Sequence, residues 1–471
     1  MAKKLSQNLS VNALQLILNQ VFGLAIFYIL STGLNKNDFG QVNLALAILL
    51  AVFNILSLGI DQLIIKKIAS GEPVQHTLSL YIGHVLITGL IFYGLLFAGK
   101  TFFANQTDTY NLILLIGIGK LMIFFSTPFK QVASGLERFK LLAYMSVVSN
   151  LVRCVSLLVF ALLHAINMHT IVIIFIAGDT AELLVCIYLF YRSTKTGLAI
   201  KFHKTSYINL VRESLPQSGV VVITSALARF DWIYIGLTLS AIKLAEYSFA
   251  YKVFEIATLP MLTIAPLLMP RFTKLFKQDS GDISHLKFLI RAEIIIAVLV
   301  ALTINMCWAP VIDGITAGKY GLVNVKTIFI LSLCMPLLYV NNFLWTIYFA
   351  KGQLKMILHS FIITLLVNVI GDVILIPIYK NEGAAFAFLL SCLAQTIFYL
   401  RKNEIAKLSS ISVNLLICTA GALISGMTAK ILFQNAWIAL PFAVLFYLVT
   451  LIITAQIKLA DRKSLQLLLN W

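Results

Sequence analysis

Apolar runs of about twenty residues follow one another along almost the whole chain, each long enough as a helix to cross roughly 30 Å of hydrocarbon. The polar stretches between them are short. The pattern predicts transmembrane helices over 11–33, 42–64, 78–99, 110–132, 141–164, 170–191, 215–239, 246–268, 288–311, 327–349, 355–378, 383–400, 410–432 and 436–457. An even number of spans puts both ends of the chain on one side. The opening MAKKLSQNLS leads into the first run without a small-residue cleavage site, so it reads as a retained anchor helix.

A weak duplication runs through this pattern. Gly135-Leu-Glu-Arg-Phe-Lys140 leads into the fifth span and reaches Asn150, and Gly352-Gln-Leu-Lys355 leads into the eleventh and reaches Asn368 at almost the same distance. Phe39-Gly40 opens the second span and Ala245-Glu-Tyr247 the eighth. Equivalents lie six spans apart, an even number, so the repeats run parallel about an axis along the membrane normal. The expected architecture is an all-α polytopic membrane protein with a six-helix bundle over 1–191 and a second over 215–404. A central cleft lies between the bundles, and helices 13 and 14 with a tail occupy 405–471. Segment 192–214 mixes Lys and His with Leu198, Ile200 and Phe202. Two readings of it stand, an amphipathic helix lying on the cytoplasmic face and a solvated loop.

Composition narrows the class. Sixty per cent of 471 residues are apolar, 12% are charged, and the mean hydropathy is +0.93, which excludes an ordinary soluble domain. The net charge of +17 is a topology signal: one side carries only Lys36, Lys100, Lys243, Lys319, Lys326, Lys380 and Lys430. The other side, with Lys3, Lys4 and both termini, is therefore cytoplasmic. Nucleic acid is not an expected partner; membrane lipids are. Cys154, Cys186, Cys307, Cys334, Cys392 and Cys418 lie in apolar runs without metal spacing, so neither a metal site nor a disulfide framework is expected. Neither G-x-x-x-x-G-K-[ST] nor G-x-S-x-G occurs, and no loop has room for a catalytic domain, so transport rather than enzymatic activity is expected.

Ionisable residues inside the spans cost roughly 2.5–3.5 kcal/mol each to insert and mark cavities or partners. Lys252 and Glu255, at i and i+3, can pair. Arg291 and Glu293 near the inner end of the ninth span can snorkel to headgroups, and Asp61 closes the second span as a polar anchor. Arg229, near the middle of the seventh span, is the best placed to line a cleft. For Lys120 and Arg153 two readings stay open, cavity cations or a buried network with Asp179 or Glu182. A surplus of cations in the cleft would suit a phosphate or diphosphate. Asn19 and Gln20 on the first span are candidate polar lining.

In this order, the chain resembles Wzx-type polysaccharide flippases of the multidrug/oligosaccharidyl-lipid/polysaccharide exporter superfamily. The residues that carry the resemblance are Asn37-Asp-Phe-Gly40, Leu58-Gly-Ile-Asp61, Gly135-Leu-Glu-Arg-Phe-Lys140, Arg229-Phe-Asp231, Ala245-Glu-Tyr-Ser-Phe-Ala-Tyr-Lys252, Ile376-Pro377 and Glu382-Gly-Ala-Ala385. The resemblance implies an undecaprenyl-diphosphate-linked oligosaccharide moved from the cytoplasmic to the periplasmic leaflet of a bacterial inner membrane, for O-antigen, lipopolysaccharide or another surface polysaccharide. Alternating access would drive it, powered by an H+ or Na+ gradient or the membrane potential and with no bound cofactor. Polysaccharide polymerase and glycosyltransferases would be its partners. Under this resemblance Arg229 and Lys252 hold diphosphate, Lys120 and Arg153 are further cavity cations, and Asp231, Glu255 and Asp372 serve charge balance or ion coupling. Two relatives remain as alternatives: a lipid II flippase, although its first helices carry arginines absent here, and a cation-coupled drug antiporter, although the first helix here lacks that family's carboxylate.

Overall fold

The computed structural model describes residues 2–103, 107–194, 203–259, 284–402 and 410–457, together with Met261, Leu268, Phe272 and Thr273. Among them the helices are, in chain order, α1 (Ala2–Gly33), α2 (Lys36–Leu56), α3 (Ile60–Ala69), α4 (Val74–Ala98), α5 (Thr107–Gly135), α6 (Phe139–Leu162), α7 (Met168–Thr194), α8 (Lys204–Thr238), α9 (Ala241–Ala257), α10 (Ser284–Thr316), α11 (Val325–Ala350), α12 (Leu354–Arg401), α13 (Ile411–Leu432) and α14 (Ala436–Ile453). Twelve helices are long and apolar enough to cross a membrane, and no strand occurs among the described residues. The chain is an all-α polytopic membrane protein.

Twelve and the fourteen expected spans differ for two reasons. α9 has 17 residues, and most of 258–283 lies outside the described residues. α12 holds two spans in one element, broken at Lys380, whose φ of 54° and ψ of −128° are not helical. A Cβ on Gly383 would fall 2.3 Å from the Leu375 carbonyl oxygen, and one on Gly371 would fall 2.9 Å from Ala387 Cβ. The two legs therefore fold back on each other just after Pro377, and they match 355–378 and 383–400.

The second expected span, 42–64, is not continuous. α2 starts under an Asn35 cap, whose side chain accepts from Asp38 N at 2.9 Å, with the Asp38 carboxylate on the positive end of the helix dipole. It stops at Leu56. Leu58 (φ 50°) and Gly59 (φ 69°) both take the left-handed conformation, which no helix continues through. α8 holds this joint: Ser218 Oγ donates to the Leu58 carbonyl at 2.7 Å, and a Cβ on Gly59 would meet Gln217 Cγ at 2.6 Å.

By contacts the chain divides into Met1–Ala245 and Glu246–Trp471. In the first unit α7 packs on α5 and α6, α1 on α6, and α8 on α2. At the α2 amino end Phe39 is fully buried, and Gly40 lies against the start of α9, where a Cβ would come within 1.8 Å of the Ala241 carbonyl oxygen. In the second unit α10 packs on α11, α13 and α14. Small residues, Ala422, Ser425 and Ala429 on α13 and Ala439 and Ala443 on α14, let those helices approach closely. Leu90, Ile91, Leu95 and Phe97 are more than half exposed, as side chains that meet lipid tails should be. The linker residues 195–202 and the tail 458–471 lie outside the described residues, whereas 204–214 is helical and continuous with α8.

Candidate functional site

The charges inside the first unit converge on α7. Asp179 and Glu182, at i and i+3, share one face of that helix and are both buried. Arg153 of α6 pairs with Asp179 Oδ1, and Ser149, one turn away on α6, donates to the same oxygen at 2.6 Å. Lys120 Nζ of α5 stands 3.6 Å from Asp179 Oδ2, close enough for Coulomb attraction but too far for a hydrogen bond. Phe175, one turn before Asp179, offers its ring to both cations, with Arg153 Cζ at 4.5 Å and Lys120 Nζ at 5.7 Å. Glycines make the room: a Cβ on Gly178 would press on Arg153 Cγ at 2.9 Å, and one on Gly119 on Asp179 Oδ2 at 2.8 Å.

Lys130 extends the cluster towards α3. Its Nζ bonds Glu182 Oε1 at 2.7 Å and interacts electrostatically with Asp61, which accepts from the Tyr81 hydroxyl. Lys120, Lys130 and Arg153 thus face Asp61, Asp179 and Glu182 in a charge-matched set. Lys120 and Arg153 are brought together, but onto carboxylates. Sequence reasoning passed over Lys130, Ser149 and Tyr81. Lys130 lies at the end of its span, where a lysine reads as a topology marker.

Arg229 is differently placed. It lies on α8, about 14 Å of helix from Thr238, is half-buried, and makes no ion pair among the described residues. Its guanidinium stacks over Trp232 at 4.7 Å and bonds only the Ala228 carbonyl, at 3.3 Å. Asp231 is buried, with Oδ1 accepting from Trp232 N. On α1, Asn19 accepts from Asn150 Nδ2 of α6 at 3.1 Å, an interhelical bond, and Gln20 is exposed. His84 is fully buried, bonded to the Leu56 carbonyl at 2.9 Å and to Tyr207 at 3.2 Å.

In the second unit Lys252 and Glu255 pair at 2.7 Å, and Asp372 on the first leg of α12 is fully buried. Glu293 departs from expectation. It is 6% exposed, facing the protein interior, because it falls on the same helical stripe as Leu286, Ile290 and Ala297. It does not snorkel. That periodicity was readable in the sequence and outweighs the residue's nearness to the helix end. An apolar cavity of about 180 Å³ between α10, α11 and α13 adjoins one of about 630 Å³ flanked by Lys326 and Lys430; Asn305, Phe329 and Leu333 line both.

Outside the membrane spans, Lys67 at the end of α3 bonds Glu72 at 3.0 Å and Glu213 of α8 at 2.9 Å. Partial burial would lower its ammonium pKa, but the bonds to Glu213 and Glu72 hold it above the ordinary lysine value. This clamp ties α3 to α8 a second time.

A family model described as "Polysaccharide biosynthesis protein" matches residues 5–276, more than half of the chain. No curated protein matches the sequence. Among solved structures the chain is similar to a lipid II flippase MurJ in an inward closed conformation, with a TM-score of 0.73 at 13% identity over 94% of this chain and 98% of that one. It is also similar to a multidrug resistance MATE family transporter of the MOP superfamily in an inward-facing conformation, with a TM-score of 0.66 at 13% identity over 85% and 99%. A third is a MOP superfamily transporter from Pyrococcus furiosus, with a TM-score of 0.56 at 14% identity over 87% and 95%. At these identities the likeness is one of fold, and it is the fold of the superfamily that the ordered motifs resemble. The chain is a multi-pass membrane protein that belongs to the polysaccharide biosynthesis protein family and has the fold of the multidrug/oligosaccharidyl-lipid/polysaccharide exporter superfamily.

Proposed function

We propose that this protein is a flippase that carries a polyprenyl-diphosphate-linked oligosaccharide across a bacterial inner membrane by alternating access, supplying a surface polysaccharide such as O-antigen. One observation carries the reading: Arg229 is a mid-membrane guanidinium, half-exposed and without a carboxylate among the described residues. A guanidinium binds phosphate oxygens with two parallel hydrogen bonds, and low dielectric strengthens that attraction. Lys120 and Arg153 are held by Asp179 and serve as framework. Lys252 is available to a phosphate only when it leaves Glu255. The family match supports a lipid-linked saccharide as cargo, and the cavity beside Lys326 and Lys430, which Glu382 also lines, offers a phosphate two ammonium groups against one carboxylate next to apolar walls. No covalent step is needed; a cation gradient or the membrane potential supplies the work, and glycosyltransferases and a polymerase act before and after.

The test is complementation of a flippase-null strain. Arg229→Ala, at wild-type protein level, loses most surface glycan and traps lipid-linked units in the inner leaflet, and Arg229→Lys keeps part of the activity because it keeps the charge. Near-normal glycan in Arg229→Ala would overturn the assignment. Rescue of a lipid II flippase depletion instead would replace the cargo.

A further inference from the structure

Glu293 lies on the buried face of α10. Its helical neighbours on that face, Ile290, Ile294 and Ala297, are at most 1% exposed, and Glu293 itself is 6% exposed, so it is enclosed but not sealed. The other carboxylates described inside the spans are engaged: Asp61, Asp179, Glu182 and Glu255 with the groups named above, Asp231, Glu246 and Asp372 with partners of their own. Glu293 makes no ion pair and no hydrogen bond among the described residues.

A tyrosine hydroxyl lies within electrostatic reach of it. Tyr339 of α11 is 1% exposed, interacts electrostatically with Glu293 and has the Met261 backbone carbonyl beside its hydroxyl. Ala297 and Met261 pack on Tyr339. The nearest cation in sequence, Arg291, is two positions away and so roughly 200° around the helix, where it interacts with Cys418 of α13; Tyr447 of α14 lies beside Cys418. Of the three described helices packed on α10, only α11 brings a titratable group into electrostatic interaction with Glu293; the segment carrying Met261, Leu268 and Phe272 packs on the same face. A carboxylate enclosed by apolar side chains cannot stay bare, because its charge has lost water and gained no cation among the described residues. It must be neutralised by something small enough to reach it.

We propose that Glu293 is a monovalent-cation exchange site, binding one H+ or one Na+ in one stage of the cycle and releasing it in the other, with the Tyr339 hydroxyl as its adjacent ligand. The hydroxyl donates to the bare carboxylate and turns a lone pair to a bound cation, so one geometry serves both states. This deepens the transport reading by naming where its coupling ion sits. The alternation between binding and release rests on that reading; ion binding at Glu293 does not.

The test uses the full chain in nanodiscs. Protons released on a step from mildly acidic to mildly alkaline pH are counted for the wild type, Glu293→Gln and Glu293→Asp, in choline chloride and again in NaCl. Wild type and Glu293→Asp release one proton more per chain than Glu293→Gln. If Na+ is the ion, adding NaCl at the acidic pH releases that proton in the wild type and not in Glu293→Gln. Equal release by wild type and Glu293→Gln in both salts overturns the proposal. Should Glu293→Gln fail to assemble, the wild type alone decides. Dicyclohexylcarbodiimide, which attacks protonated carboxyls in apolar surroundings, labels the Glu293 peptide at acidic pH, and alkaline pH or Na+ protects it; an unlabelled Glu293 overturns the proposal. Loss of glycan export in Glu293→Gln with an unchanged proton count sinks this site and leaves the flippase reading standing.

Discussion

Asp179 answers to two cations, so removing it differs in kind from removing either partner. Asp179→Ala leaves Arg153 and Lys120 buried and facing each other, a change expected to cost about 3–5 kcal/mol. Lys120→Met takes one charge from an oversubscribed carboxylate, and its 3.6 Å separation means no hydrogen bond is lost. Thermal unfolding in detergent should therefore show a large fall for Asp179→Ala and a small one for Lys120→Met; comparable falls would mean the charge balance has been misjudged. The sequence indicated that Lys120 and Arg153 could meet Asp179 or Glu182, since all four lie deep in neighbouring spans. It did not indicate Lys130, because hydropathy blurs at helix ends, or which carboxylate takes which cation, because that depends on helix rotation. Glycines at 119 and 178 set that rotation by admitting the side chains.

Among the helices, hydropathy located the spans and missed the breaks inside them. The 42–64 run is apolar across Leu58 and Gly59, so nothing in its pattern marks a joint; two left-handed residues do. The segments that carry the family resemblance fall at such places. Gly40 admits the Ala241 carbonyl, Gly59 forms the joint, Gly135 lies against Ile68 of α3, and Gly383 lets α12 fold back. Arg138 in the same set ties the α5–α6 turn to Ser193 at the end of α7, at 2.8 Å. They are devices of shape, and of all those segments only Asp61, Arg229-Phe-Asp231, Glu246 and Lys252 carry charge into a span. Gly59→Ala is expected to cost more than about 1 kcal/mol, from its positive φ and from the Gln217 contact, and to lower the yield of folded protein by size-exclusion chromatography. Gly94→Ala, which meets nothing within 4 Å, is the control that should leave yield unchanged.

For the molecule as a whole, the class was legible because a chain with 60% apolar residues has one solvent in which it can fold, and the long helices follow from that. Orientation rests on the sparse lysines of one face. A fluorescent protein fused after Trp471 should fluoresce, and alkaline phosphatase fused there should be inactive; active phosphatase would invert the topology. Internal mechanics were not legible, since they reside in contacts between distant stretches. The joint at Leu58–Gly59 is clasped by α8 at Ser218, α8 also holds the far end of α3 through Glu213 and Lys67, and Arg229 lies about 16 Å beyond Ser218 on the same helix. α3 in turn carries Asp61, which faces Lys130. In mechanical terms α8 is a lever and the joint its fulcrum: under the proposed function, a pull on the Arg229 guanidinium would be carried along α8 to α3 and the charge-matched cluster, a site that the cargo itself need not touch.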